Sequence, residues 1–440
     1  MSEITNQVSD QQPPVSELRS PNRSASRLPA PVRITEQVWP EGTVPVVSIL
    51  CVTYNHIDFI RDAVEGFLMQ ETTFPVEIVI HDDASTDGTA EIVKEYAEKY
   101  PQVFRTILQK KNLYSSGNLP NGGEMAQRYC HGEFIALCEG DDYWISKEKL
   151  QKQITILEDN AEYSMTFHES YVIRMDGTKE VYASFPENKT ELTTEELLQG
   201  CPVTTNSVML RRDITRKVPE EFAVCAMGDW PLWLTASLNG KINYDNCVQG
   251  VYRKHSGGVW AGSTIIPALG HVIQFLSIAS RVLPLQYLEA ATHGLVAQFG
   301  ELVFRAFKEN TFGVLSKSNI YIKSANLSMN LFWSAMGVKL IKFDFLGKVG
   351  SRNNSFRELA LIAKFISKAA RVVPCDGNEL RHGAARSFCS QAWTLKFKRP
   401  LLWFWLVGLA FWTSPFEAIR QVFLLTARSF LGPKKPSYAK

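Results

Sequence analysis

Three carboxylates fall within four positions at Glu139-Gly140-Asp141-Asp142, directly after the strand-length run Glu133 to Cys138. An apolar strand that ends in acidic residues puts negative oxygens at the carboxyl edge of a sheet, where open α/β folds bind their ligands. Two carboxylates on a tight turn hold Mg²⁺ or Mn²⁺ and leave coordination positions for the oxygens of a diphosphate. The competing reading is a strand-to-helix loop whose aspartates cap a helix starting near Lys147. A second acidic stretch, His81-Asp82-Asp83-Ala84-Ser85-Thr86-Asp87-Gly88-Thr89, follows the apolar run Val76 to Ile80. Two acidic pairs at equivalent strand ends crowd negative charge into one crevice unless a cation offsets it, and this tips the balance toward a metal.

Further candidates lie downstream. Val251 to Trp260 reads as a strand running into the turn His255-Ser256-Gly257-Gly258. Such a turn can close over a diphosphate, with Arg253 or Lys254 as counter-charges and His255 as a metal or phosphate ligand; a structural histidine is the alternative. Arg128 and Lys111, before the central motif, are either diphosphate contacts or solvated charges. Met227-Gly228-Asp229-Trp230-Pro231 opens an amphipathic helix, and Asp229 there reads as an N-cap with Pro231 in the first turn. Pro202 to Leu210 alternates as a strand and sets Thr204, Thr205 and Asn206 near an acceptor side.

The elements that must position these groups follow a regular order. Order begins near Val44, and Val46 to Thr53 is a near-continuous apolar run, as in a strand covered on both faces, ended by Tyr54-Asn55-His56. Ile60, Ala63, Val64, Phe67 and Leu68 recur at helical spacing. Val76 to Ile80 is the next strand, a helix with Ile92, Val93, Tyr96 and Ala97 inward comes after it, and Val103 to Leu108 is a third strand. This alternation predicts a doubly wound, mostly parallel sheet with right-handed crossovers. From about Ile265, Val272, Phe275, Leu276 and Ala279, then Leu295, Phe299, Leu302, Val303 and Ala306, suggest packed amphipathic helices.

Composition separates the two ends of the 440-residue chain. Val338 to Lys440 carries 18 Lys+Arg against 5 Asp+Glu, a net +13, which leaves −11 for the residues before it. The basic region also holds the most apolar stretch, Pro400 to Phe416, with Trp403, Trp405 and Trp412. That combination favours an anionic membrane surface over nucleic acid, and no nucleic-acid partner is expected. As helix the stretch spans ~25 Å against a ~30 Å hydrocarbon core, so it reads as lying in or dipping into one leaflet; a buried helix hairpin is the alternative. Eight cysteines show no metal-finger spacing, and Cys51 and Cys138 fall inside core strands, which suggests reduced thiols and a cytoplasmic location on the inner face of the cytoplasmic membrane. The first 35 residues, Ser/Pro-rich and without an apolar core, read as a disordered tail and not a secretory signal.

Ser48 to Asn55 (Ser-Ile-Leu-Cys-Val-Thr-Tyr-Asn), then His81 to Thr89, then Gly132 to Asp142 resemble, in order and spacing, the successive motifs of family 2 glycosyltransferases, which have the nucleotide-sugar-binding GT-A fold. The stretch Glu139 to Trp144 is similar to a bacterial branch that builds cell-surface polysaccharides. The resemblance covers roughly residues 44 to 260. It implies an inverting, metal-dependent transferase in which Thr53 and Tyr54 line the nucleotide base and Asn55 completes that donor-binding motif. By the same resemblance Asp83 accepts a hydrogen bond from the base, Asp141 and Asp142 form the metal-and-diphosphate motif, and Asp142 is the direct Mn²⁺ or Mg²⁺ ligand. Tyr252 to His255 resembles the family's Tyr-Arg-x-His, which implies His255 as a metal ligand beside Arg253 on the donor; Arg128 is assigned to the donor from its place before the central motif. The Gly-Asp-Trp around Asp229 resembles the position of the carboxylate that takes the acceptor's proton; apart from the resemblance, Glu169, after the strand-like run Tyr163 to Phe167, is the next carboxylate to consider. Two departures, His81 for an apolar residue and Ala84 for glycine or asparagine, bear on the base more than on the fold.

The sequence therefore predicts an α/β GT-A protein: a tail (1–43), a catalytic domain (44–262), a helical accessory region (263–395) and a basic apolar membrane-associating segment (396–440). The expected activity is transfer of a sugar from a nucleotide-diphosphate donor, UDP favoured, to a lipid-linked or lipopolysaccharide-like glycan acceptor. A sugar-nucleotide pyrophosphorylase is disfavoured because Thr53-Tyr54-Asn55-His56 stands where its glycine-rich, Arg-containing loop would be. A non-catalytic membrane-bound scaffold is the other rival.

Overall fold

The computed structural model describes residues 27–115, 122–183, 185–258 and 265–309. The chain begins with β1 (Val32–Arg33), β2 (Val47–Thr53), α1 (Ile60–Leu68), β3 (Glu71–Thr72), β4 (Val76–Asp82), α2 (Thr89–Lys99) and β5 (Phe104–Leu108). It continues through α3 (Gly122–Tyr129), β6 (Phe134–Leu137), β7 (Tyr143–Trp144), α4 (Lys149–Asp159), β8 (Tyr163–Arg174), β9 (Lys179–Val181), β10 (Glu191–Leu192) and α5 (Thr194–Gln199). The remainder is β11 (Met209–Arg211), α6 (Asp229–Asn239), β12 (Lys241–Lys254), α7 (Ile265–Val282) and α8 (Leu288–Glu309).

One sheet runs in the order β10-β12-β8-β11-β6-β2-β4-β5, with β7 joined to β12 and β9 to β8. Strands β5, β4, β2 and β6 are parallel. Strand β11 then runs antiparallel to both β6 and β8, and β12 returns parallel to β8. The doubly wound, mostly parallel sheet expected from the sequence is parallel over β5-β4-β2-β6 and mixed beyond β6.

Period-2 geometry explains why the central runs are apolar throughout. Successive side chains leave opposite faces of a strand. Ile49, Cys51, Ile78 and Ile80 join the core under α1, α2 and α4, while Leu50, Val79, Ile135 and Leu137 join a second core with Phe167, Leu232 and Trp233. Neither face meets water, so neither alternates with polar residues. The acidic turn after β6 is anchored at its far end by Trp144, which is buried, packs at 4.9 Å on Phe67 of α1 and donates its indole N–H to Asn206 O at 2.7 Å.

Two expectations are corrected. Order begins before Val44: β1 pairs with β3, Ile34 is buried, and the Gln37 amide donates to Val32 O and Thr72 O. Arg27 pairs with Glu158 and sits over the Phe74 ring. These contacts hold residues 27–43 on the domain despite their polar composition; residues 1–26 of the expected tail lie outside the described residues. The strand expected over Pro202–Leu210 is a 3₁₀ turn at Thr205–Ser207, and β11 starts only at Met209. Thr204 O accepts from both the backbone N–H and the hydroxyl of Ser207, a local side-chain bond that competes with a strand ladder.

Helices α7 and α8 bury Phe275, Leu276 and Ala279, then Leu295, Phe299 and Leu302, as their spacing predicts. Among the described residues no helix is long and apolar enough to cross a membrane. Residues 310–440, with the apolar stretch 400–416, lie outside the described residues.

Candidate active site

Strands β2, β4 and β6 are parallel neighbours, so their carboxyl ends and following loops share one edge of the sheet, and the end of β12 joins them through β7. His255, one residue past β12, places Nε2 3.0 Å from Asp141 Oδ2. His56, in the loop after β2, places Nε2 3.7 Å from the same oxygen. Ligand atoms of His56, Asp141 and His255 lie within 4.8 Å of one another, the spacing of a metal site. By sequence His56 marks only the end of a strand; its position beside Tyr54-Asn55 at the same sheet edge is the available signal.

Gly140 makes this convergence possible through close approach. A Cβ there would lie 2.5 Å from Thr53 Oγ1 and 3.0 Å from His56 Nδ1. The turn therefore packs directly on the end of β2.

Asp142 does not enter the cluster. It is 1% exposed, its Oδ1 accepts the Arg253 backbone N–H at 2.9 Å, and its Oδ2 is buried without a partner. Burial, then Asp141 and Glu139, push its carboxyl well above the ordinary range. Glu139 is pushed up to about 8 by burial, Asp141 and Asp229 in that order. Asp141 differs: burial opposes its ionisation, but the His255 contact and the charge of His56 hold it below the usual carboxylate value. Burial lowers His56, against the pull of Asp141.

Arg253 and Lys254 leave opposite faces of β12. The Arg253 guanidinium donates to Asp141 O at 2.9 Å, pairs with Asp62 of α1 and stacks on Tyr143 at 4.3 Å, so it braces the acidic turn. Lys254 faces Tyr182 and Tyr252. On the donor side, Thr53 is buried with Oγ1 unpartnered, and Tyr54 is 43% exposed. Asn55, at φ 54°, donates its N–H to Ser85 Oγ and accepts from Thr86 N–H, tying β2 to the loop after β4. Both oxygens of Asp83 accept backbone N–H groups, from Leu113 at 2.8 Å and Tyr114 at 3.0 Å, so the carboxylate expected to face a base is engaged by its own chain. Arg128 is exposed and pairs with Glu124 one helical turn away, and Lys111 is exposed; no described contact brings either to the cluster.

Asp229 is the first residue of α6, and Gly228 holds the cap position without a side-chain cap bond. The N-cap reading is thereby corrected. Asp229 Oδ1 accepts the Trp230 N–H at 2.7 Å, burial raises its carboxyl, and its charge acts on Glu139 and Tyr182. Glu169 is buried and accepts the Tyr244 hydroxyl, which leaves it poorly placed as a base.

A parallel half-sheet with acidic strand ends, extended by a mixed half-sheet that brings His255 to the same edge, is an α/β fold of the GT-A type. Residues 48–218 match the glycosyl transferase family 2 model. The Escherichia coli UDP-Glc:alpha-D-GlcNAc-diphosphoundecaprenol beta-1,3-glucosyltransferase WfaP is 31% identical over 218 residues, 49% of this chain and 80% of WfaP. The protein belongs to glycosyltransferase family 2, which sets aside the pyrophosphorylase reading. An uncharacterized protein of Mycobacterium tuberculosis is 39% identical over 217 residues, 49% of this chain and 60% of that protein. The match thus spans 60% of the length of this mycobacterial relative. The solved structure of residues 1–349 of S. aureus TarS aligns over 88% of this chain and 92% of that one, at 15% identity and a TM-score of 0.39.

Proposed function

We propose that the protein is a metal-dependent, inverting glycosyltransferase that moves a sugar from a UDP-linked donor to a hydroxyl of a lipid-linked glycan at the cytoplasmic face of the membrane. The observation that carries this is the meeting of His56, Asp141 and His255 beside three further carboxylates, Glu139, Asp142 and Asp229. Two imidazole nitrogens and a carboxylate suit Mn²⁺ better than the oxygen-preferring Mg²⁺, and a dication would offset the crowded negative charge. In this reading Asp141, not Asp142, is the carboxylate ligand. When bound, the cation would neutralise the departing diphosphate.

The protein's own residues do the rest. Thr53, Tyr54 and Asn55 border the nucleotide at the end of β2. Asp229, made more basic by burial, takes the proton from the acceptor hydroxyl as that oxygen bonds the anomeric carbon. Attack opposite the leaving diphosphate inverts the configuration. WfaP, by its name, uses UDP-glucose and a diphosphoundecaprenol-linked sugar, which supports a UDP donor and a lipid-diphosphate acceptor here. The basic, tryptophan-bearing 396–440 segment supports membrane attachment.

Calorimetry of UDP with and without Mn²⁺ tests the metal assignment. Asp141→Asn should lose the Mn²⁺ dependence, and Asp142→Asn should keep it. Asp229→Asn should bind UDP and Mn²⁺ normally yet lose about 10²–10⁴-fold in turnover, the usual contribution of a positioned base. Unchanged Mn²⁺ dependence in Asp141→Asn would remove the metal site from this cluster.

A further inference from the structure

Tyr252 and Lys254 leave the face of β12 opposite to Arg253, because side chains alternate along a strand. On that face Tyr252 meets Tyr182 edge to face, with ring centres 5.8 Å apart and planes at 86°. Lys254 Nζ lies 5.8 Å from the centre of each ring. The two tyrosines feel the charge of the proposed base on one side and of the metal-side carboxylates on the other. Burial first, then Cys201 and Asp229, push the Tyr182 phenol up to about 12. The Tyr252 phenol is raised by burial and then by Asp142, Glu139, Tyr182 and Asp141.

Lys254 is partly buried and has no carboxylate within ion-pair distance among the described residues; burial and then Arg174 lower its pKa, and the charge of Glu180 opposes them. Across the parallel register it faces Arg174, a second cation, and Arg174 is already neutralised by Glu180 of β9. Like charges set opposite each other in a ladder are unfavourable, and a partly desolvated ammonium with no carboxylate in contact adds to the cost. A bound anion would remove both. We infer that Tyr182, Tyr252 and Lys254 form the acceptor subsite, and that this subsite takes a sugar carried on a phosphate or diphosphate. The flat aromatic surfaces take the apolar face of the sugar ring, and Lys254 pairs with the phosphate. The inference rests on the transferase reading above and names the acceptor's chemistry within it.

The test is calorimetry on the full chain saturated with UDP and Mn²⁺, with butyl diphosphate as the probe. Saturation keeps the probe out of the donor site. Wild type should bind it, and Lys254→Gln should bind it roughly tenfold or more weakly, the worth of a charge-assisted hydrogen bond. Tyr182→Leu should weaken it severalfold. Lys179→Gln, which removes an exposed cation on β9, should change it by no more than about twofold, because exposed charges contribute little. Equal probe affinity in wild type and Lys254→Gln, or no binding to wild type, overturns the subsite while UDP binding stands. Absence of UDP binding in wild type refutes the donor reading, and the subsite with it.

Discussion

Lys149 is fully buried, its ammonium 4.0 Å from the centre of the Trp144 ring and 2.7 Å from Gln153 Oε1. Burial lowers its pKa to about 7. An unfolded chain keeps that proton to about 10.4, so between these values the unfolded state binds more protons and stability rises with pH. The stability of wild type relative to Lys149→Met should therefore increase by up to about 1.4 kcal/mol from pH 7 to pH 8, read from urea unfolding at the two pH values. A flat difference would mean that the ammonium stays charged in the fold. Ala84, at φ 63°, sits where the family's glycine or asparagine would avoid strain. Left-handed backbone costs a residue with a Cβ about 1–2 kcal/mol, and glycine returns about 0.5–1 of that through its looser unfolded chain. Ala84→Gly should thus stabilise the domain by roughly 0.5–1 kcal/mol in the same assay, and a loss of stability would show that neighbouring packing outweighs the strain.

The turn between β6 and β7 is the element on which the site depends. It presses on β2 at Gly140, is held by Arg253 of β12 and ends in the buried Trp144. Gly140→Ala puts a methyl group 2.5 Å from Thr53 Oγ1, so either the turn or the end of β2 must move. Overpacking of this kind costs about 1–3 kcal/mol. Because Thr53 and His56 are the atoms displaced, UDP affinity should fall along with thermal stability. A variant that loses stability while binding UDP as tightly as wild type would show that the donor side tolerates the shift. The acidic turn and the apolar strand before it were legible as sequence. The reason for its glycine was not: the residue is needed for a close approach to a strand far away in the chain and not for a left-handed turn.

At the scale of the whole molecule, the charge asymmetry separates the acidic part of the chain, which holds every site residue named above, from a basic end. Removing residues 396–440 should abolish flotation with anionic liposomes and leave Mn²⁺-dependent UDP binding intact. A truncated protein that still floats would place membrane affinity elsewhere, and one that cannot be kept soluble would favour a packed hairpin.

Local pattern alone determined the apolar strands β2, β4 and β6, the acidic turns that end them and the helical faces of α1, α7 and α8. Each depends on a period of 2 or 3.6 within a single segment, and a short window of sequence holds that information. Tertiary structure alone decided which carboxylate of the Asp141-Asp142 pair meets a histidine, that His56 joins His255 there, that residues 27–43 pack on the domain, and that Arg253 and Lys254 serve different sides. Those outcomes depend on strand order and register, which bring together residues far apart in the chain. Where side chains alternate, a shift of one residue exchanges the two faces, so neighbouring residues of the same type remain indistinguishable until the sheet is assembled.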